Sequence, residues 1–79
     1  VKKDKNRKRA IERRLTQLEK RSAEIETELE ELTKQEQDNP ANYELLAAIY
    51  DSKTALEDEQ LSIMEEQFSL EEEYGGFAE

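Results

Sequence analysis

A seven-residue repeat governs what this chain can fold into. From residue 11 the apolar positions run Ile11, Leu15, Leu18, Ile25, Leu29 and Leu32, with Ser22 filling the one missing place of the pattern. With Ile11 at a d position, Leu18, Ile25 and Leu32 are d, and Leu15, Ser22 and Leu29 are a. The surrounding Glu, Gln, Arg and Lys are good helix formers. Composition alone leaves two options: 42% charged and 34% hydrophobic residues fit either a disordered chain or long helices with narrow apolar seams. A sustained heptad selects the helices.

The stretch "QDNPANYELL" interrupts the first helix. Asn39 is a good N-cap residue, and Pro40 suits a first helical position, where its missing N–H costs nothing. Proline also disfavours α geometry in the residue before it, so helix 1 is expected to end by Asp38. Beyond the break, Ile49, Leu56, Ile63 and Leu70 recur every seventh residue as d′ positions. The a′ places are Leu46, Lys53, Gln60, Gln67 and Tyr74, so half of the second seam is polar. Gly75-Gly76 is read as the stop of helix 2. The expected fold is all-α: one two-helix antiparallel coiled-coil hairpin over residues 1–79. Helix 1 spans about residues 4–37, the turn 38–40 and helix 2 about 40–74, with a tail at 75–79. A first residue Val1 rather than Met suggests a fragment cut from a larger protein.

Charge supplies an independent check on the register. Residues 1–21 hold ten Lys/Arg and three Asp/Glu, net +7; residues 22–79 hold two and eighteen, net −16; together they give the chain's −9. A hairpin in which Leu32 faces Leu46, Leu29 faces Ile49, Ser22 faces Leu56 and Leu15 faces Ile63 leaves Lys8 facing Leu70. The same register sets Arg7, Arg14 and Arg21 opposite Glu73, Glu66 and Glu59. The basic stretch "KNRKRAIERR" is thus partly accounted for by the hairpin itself. The cations on the outer face of helix 1 are not. At ~100° per residue, Lys2, Arg9, Arg13 and Lys20 lie opposite the seam of helix 1, with Lys5 nearby, out of comfortable reach of helix 2. This stripe is either a solvated face or a row of phosphate contacts.

Most site chemistry is excluded by the residue inventory. There is no cysteine and no histidine, so thiolate zinc sites, cysteine nucleophiles and the commonest general base are missing. No phosphate loop, calcium loop or Ser/His/Asp set occurs, and no metal site is expected. Glutamate clusters on exposed helices have nothing to perturb them or exclude water, so no catalytic residue is assigned. No apolar run approaches the ~20 residues that span a bilayer. The expectation is a monomer without cofactor or membrane contact, most simply cytoplasmic.

One apolar feature exceeds a two-helix seam. Tyr43, Tyr50, Leu61 and Phe68 line up on helix 2 roughly 110° from Ile49, with Met64 between them and the seam. They are read either as loose local packing or as a docking surface for a partner.

Taken together, "RKRAIERRLTQLEKRSAEIETELEEL", then "DNPANYELL", then a second helix ending "MEEQFSLEEE" resemble the C-terminal coiled-coil domain of ABC-F ATPases, soluble proteins with two ATP-binding cassettes and no membrane domain. The most distinctive element is Asp38-Asn39-Pro40-Ala41-Asn42-Tyr43; Phe68 stands where the family commonly has Trp, and Gly75-Gly76-Phe77 lies outside its pattern. The resemblance implies a parent that hydrolyses ATP with Mg and acts on the ribosome or on nucleic acid. It places ATP and Mg in the parent's cassettes, not in this domain. It carries over only the basic lead-in, Lys5, Arg9 and Arg13, to which the face argument adds Lys2 and Lys20. Three readings follow: a weak, salt-dependent contact to ribosomal RNA or DNA; a docking hairpin, with the cassettes of the same chain among its possible partners; or a spacer or dimerisation coil.

Overall fold

In the computed structural model, which describes the backbone of residues 2–77 and the side chains of residues 5–76, the chain is two long helices folded against each other. Helix α1 spans Lys2–Asp38 and helix α2 spans Tyr43–Phe77. The hairpin measures 61 × 15 × 15 Å over its Cα atoms, a rod two helices wide. Nothing else is available to cover the seam, so each helix must supply half of the core.

That core sits where the repeat puts it. Ile11, Leu18 and Ile25 at d and Ile49 and Ile63 at d′ are the buried hydrophobic residues, with Ile11 and Ile25 fully enclosed. Leu29, Leu56 and Leu70 pack against the central cluster of Leu18, Ile25 and Ile63 and are half-buried. No a or a′ position is fully buried, and Leu32, Leu56 and Leu70 at d and d′ are only half-buried, because a two-helix rod leaves both edges of its seam open to water.

The turn differs from the sequence expectation in frame. Helix α1 does end at Asp38, but α2 begins at Tyr43 rather than at Pro40. Asn39 closes the first helix instead of opening the second: its backbone N–H and its side-chain Nδ2 both donate to the carbonyl of Gln35, at 3.1 and 3.0 Å. The Asn42 N–H then donates to the Asn39 carbonyl at 3.2 Å, closing a four-residue turn with Pro40 in its second position and no positive φ. Asn42 is the N-cap of α2, its Oδ1 accepting from the Leu45 N–H at 3.2 Å. The physical reason is length: a helix ending at 38 and another starting at 40 leave one residue to reverse the chain, whereas antiparallel helices are joined by 2–5. The expected consequence is that Asn42→Ala destabilises the hairpin by about 0.5–2 kcal/mol, read as a shift in urea midpoint.

Gly75-Gly76 does not stop α2, which continues to Phe77. Neither glycine has positive φ, and beyond the adjoining residues and the helix's own backbone no described atom lies within 4 Å of where a Cβ would stand. Glycine permits a left-handed stop but does not impose one. Here it stays helical at the cost of backbone entropy.

Candidate nucleic-acid interface

The geometry of the basic end follows from how the two helices face each other. Arg7, Arg14 and Arg21 each reach across the hairpin to the glutamate the register assigns them. Arg14 donates from Nε and Nη2 to the two carboxylate oxygens of Glu66 at 2.5 and 3.0 Å. Arg21 grips Glu59 in the same two-point manner at 2.6 and 2.9 Å, and its Nη1 lies 3.6 Å from both Glu24 and Glu28. Arg7 holds Glu73 through Nε and, at 2.8 Å, through Nη2. These planar, paired contacts use the guanidinium fork as a lysine could not.

Hydrogen bonding from the three arginines holds the carboxyls of Glu59, Glu66 and Glu73 below their ordinary value of 4.5, against a smaller opposing effect of desolvation. Folding therefore gains from these pairs above that value and loses the gain as pH falls through the depressed folded values. A variant carrying Glu59→Gln, Glu66→Gln and Glu73→Gln should melt below the wild type at neutral pH. The gap should close below pH 4.5, a comparison that thermal melts across pH provide.

Two polar features of the seam were not foreseen. Lys8 lies over the ring of Tyr74, its Nζ 5.2 Å from the centroid, and the Tyr74 hydroxyl donates to Glu12 Oε1 at 2.9 Å. That bond holds the Tyr74 phenol above its usual range. Lys53, at an a′ place, forms a salt bridge with Glu36. Side chains on a helix lean toward its N-terminus, so in an antiparallel pair they lean past one another, and each meets a residue offset from the one directly opposite. A tyrosine at an a′ place near a lysine at an a place was the signal available in the sequence.

The remaining cations stand apart. Lys5, Arg9, Arg13 and Lys20 are exposed and make no salt bridge among the described residues. The side chain of Lys2 lies outside the described residues. Arg9 and Arg13 border a shallow hollow with Glu12, Thr16 and Gln17. Glu12, the acid sharing this hollow, is engaged by the Tyr74 hydroxyl from the other helix. Toward the turn, the groove between the helices is lined by Glu28, Glu31 and Gln35 beside Leu32 and Leu56, and its carboxylates would repel phosphate.

On α2, Tyr43, Tyr50, Leu61, Met64 and Phe68 are all exposed, from 57% at Leu61 to 80% at Tyr43. Loose packing within the hairpin, one of the two expectations for them, is not what they do. A two-helix rod has no third surface on which they could fold down.

Among the described residues no helix is long and apolar enough to cross a membrane, and no group of three or more acidic side chains is placed to hold a metal ion. No family model, curated protein or solved structure matches the chain.

Proposed function

We propose that this hairpin is a non-catalytic accessory domain that touches ribosomal RNA or DNA, without sequence preference, through Lys5, Arg9, Arg13 and Lys20 of α1, with Lys2 extending the row. The observation that carries this reading is the division of the cations. Three arginines on one flank of the seam are committed to glutamates of α2, whereas Lys5, Arg9, Arg13 and Lys20 make no salt bridge among the described residues. The stripe from Lys5 to Lys20 extends ~22 Å along the helix. That is enough to meet several phosphates spaced ~3.4 Å apart per strand along a duplex axis. The similarity to ABC-F C-terminal domains gives the contact a setting. The parent would bind ATP and Mg in its cassettes, work in the cytoplasm, and use this domain to hold its ribosomal or DNA partner.

The test is a titration of labelled RNA and of duplex DNA at low and moderate salt. Binding should be weak, about 10⁻⁴–10⁻⁶ M, with a log–log salt slope of roughly −2 to −4, as for a few neutralised phosphates. Absence of binding even at low salt would leave the basic run to the hairpin alone. A second reading, protein–protein docking, is favoured by the exposure of Tyr43, Tyr50, Leu61 and Phe68 on α2.

A further inference from the structure

Helix α2 carries a second heptad seam that the hairpin does not use. Starting at Tyr43, the residues at alternating steps of four and three are Tyr43, Ala47, Tyr50, Thr54, Glu57, Leu61, Met64 and Phe68. One acid interrupts a row that otherwise reads as a coiled-coil interface. Its midline lies ~100° around the helix from the hairpin seam, and all eight residues are exposed. The two edges of this row differ. Along one edge stand Glu44, Asp51, Asp58, Glu65 and Glu72, an acid at every seventh residue, all exposed. The other edge is the hairpin's own polar seam, Lys53, Gln60, Gln67 and Tyr74, which is half-buried.

We propose that this face docks one amphipathic helix of another protein segment, about 25 residues long, whose apolar row is flanked by Lys or Arg at seven-residue intervals. The length follows from the ~38 Å between the levels of Tyr43 and Phe68. The charge follows from the acid row, which would lie against the flanking positions of any helix seated on the seam. A second copy of this chain is not the occupant. From Tyr43 to Phe77, α2 carries ten acids against the single cation Lys53, so two such helices repel in either orientation. On α1, the places equivalent to the second seam, from Arg9 to Thr33, hold charged residues or Thr except for Ala23, and so offer no apolar row for it to meet. The inference is independent of the nucleic-acid reading, since it concerns the other helix and the opposite charge.

The experiment uses a synthetic helical peptide of about 25 residues, with Leu and Ile at a and d and Lys along one flank. It is titrated into the hairpin by calorimetry beside a scrambled peptide of identical composition. One-to-one binding of the patterned peptide, at least tenfold tighter than the scrambled one, is expected. The Tyr50→Ser/Leu61→Ser/Phe68→Ser variant should lose that binding tenfold or more while keeping its helicity, because all three side chains are exposed. Asp51→Lys/Asp58→Lys should weaken it comparably. Equal binding of the two peptides, or undiminished binding by the triple-serine variant, would reduce the face to diffuse acid attraction and overturn the proposal. So would concentration-dependent dimerisation of the wild type that the serine substitutions abolish, because the occupant would then be a second copy.

Discussion

Replacing Ile25 by Ala is expected to unfold most of the hairpin near room temperature. Ile25 is fully enclosed at the middle of the seam, in the cluster with Leu18 and Ile63. Removing three of its side-chain carbons costs about 2–5 kcal/mol, because the neighbours collapse only partly into the space. A larger domain would absorb that loss. Here the buried apolar set among the described residues is Ile11, Leu18, Ile25, Ile49 and Ile63, half of the α2 seam is polar, and none of the described residues forms a second layer. A single core in a chain this small rarely supplies more than about 3–5 kcal/mol in total. Far-UV circular dichroism against urea measures the loss. The companion variant Leu61→Ala removes comparable apolar bulk from a site 57% exposed and should fall within about 0.5 kcal/mol of wild type. Equal destabilisation by the two would mean that the heptad seam is not where the stability resides.

Arg14→Glu combined with Arg21→Glu is the second large effect, and it works through electrostatics rather than volume. Each substitution removes a two-point hydrogen bond and sets a carboxylate beside Glu66 or Glu59; at residue 21 it also adds to Glu24 and Glu28. The thermal midpoint should fall by several degrees, more at low salt than at high. Adding Glu59→Arg and Glu66→Arg restores opposite charges across the hairpin and should recover most of the loss. Arg9→Glu with Arg13→Glu is the matched control. Each Arg→Glu changes the charge by −2, so both doubles move the chain from −9 to −13, yet the Arg9/Arg13 pair should melt close to wild type. A failure of the four-residue swap to restore stability would show that those arginines support the fold by something other than their glutamates.

The seam and the register were legible in the sequence because both are periodic. An apolar residue at d and a charge at g repeat every seven positions, and each repeat constrains the same alignment, so Arg7–Glu73, Arg14–Glu66 and Arg21–Glu59 could be named in advance. The turn was less legible because it is a single event. Asn39 and Asn42 are equally good caps by residue type, Pro40 suits both a helix start and the second place of a turn, and only the length needed to reverse the chain separates them. Gly75-Gly76 misled for a related reason, since glycine widens the choice of backbone rather than fixing it. The Lys8–Tyr74–Glu12 cluster depends on how side chains lean, which a facing-residue diagram omits. The second seam of α2 was half seen, as four apolar residues on one face. Its acidic edge emerges only when the row from Tyr43 to Phe68 is read as a heptad in its own right.

The claim that one set of cations closes the hairpin while another faces outward for phosphate is tested most directly by fluorescence anisotropy with labelled RNA at low salt. Three proteins are compared: wild type, Arg9→Glu/Arg13→Glu, and the swap Arg14→Glu/Arg21→Glu/Glu59→Arg/Glu66→Arg. The swap keeps the net charge at −9, since two changes of −2 are offset by two of +2, and it leaves the outer stripe untouched. The swap should bind within about threefold of wild type, and the Arg9/Arg13 variant should lose tenfold or more with its fold intact. Equal loss in both, or no loss in the Arg9/Arg13 variant, would contradict the division of faces.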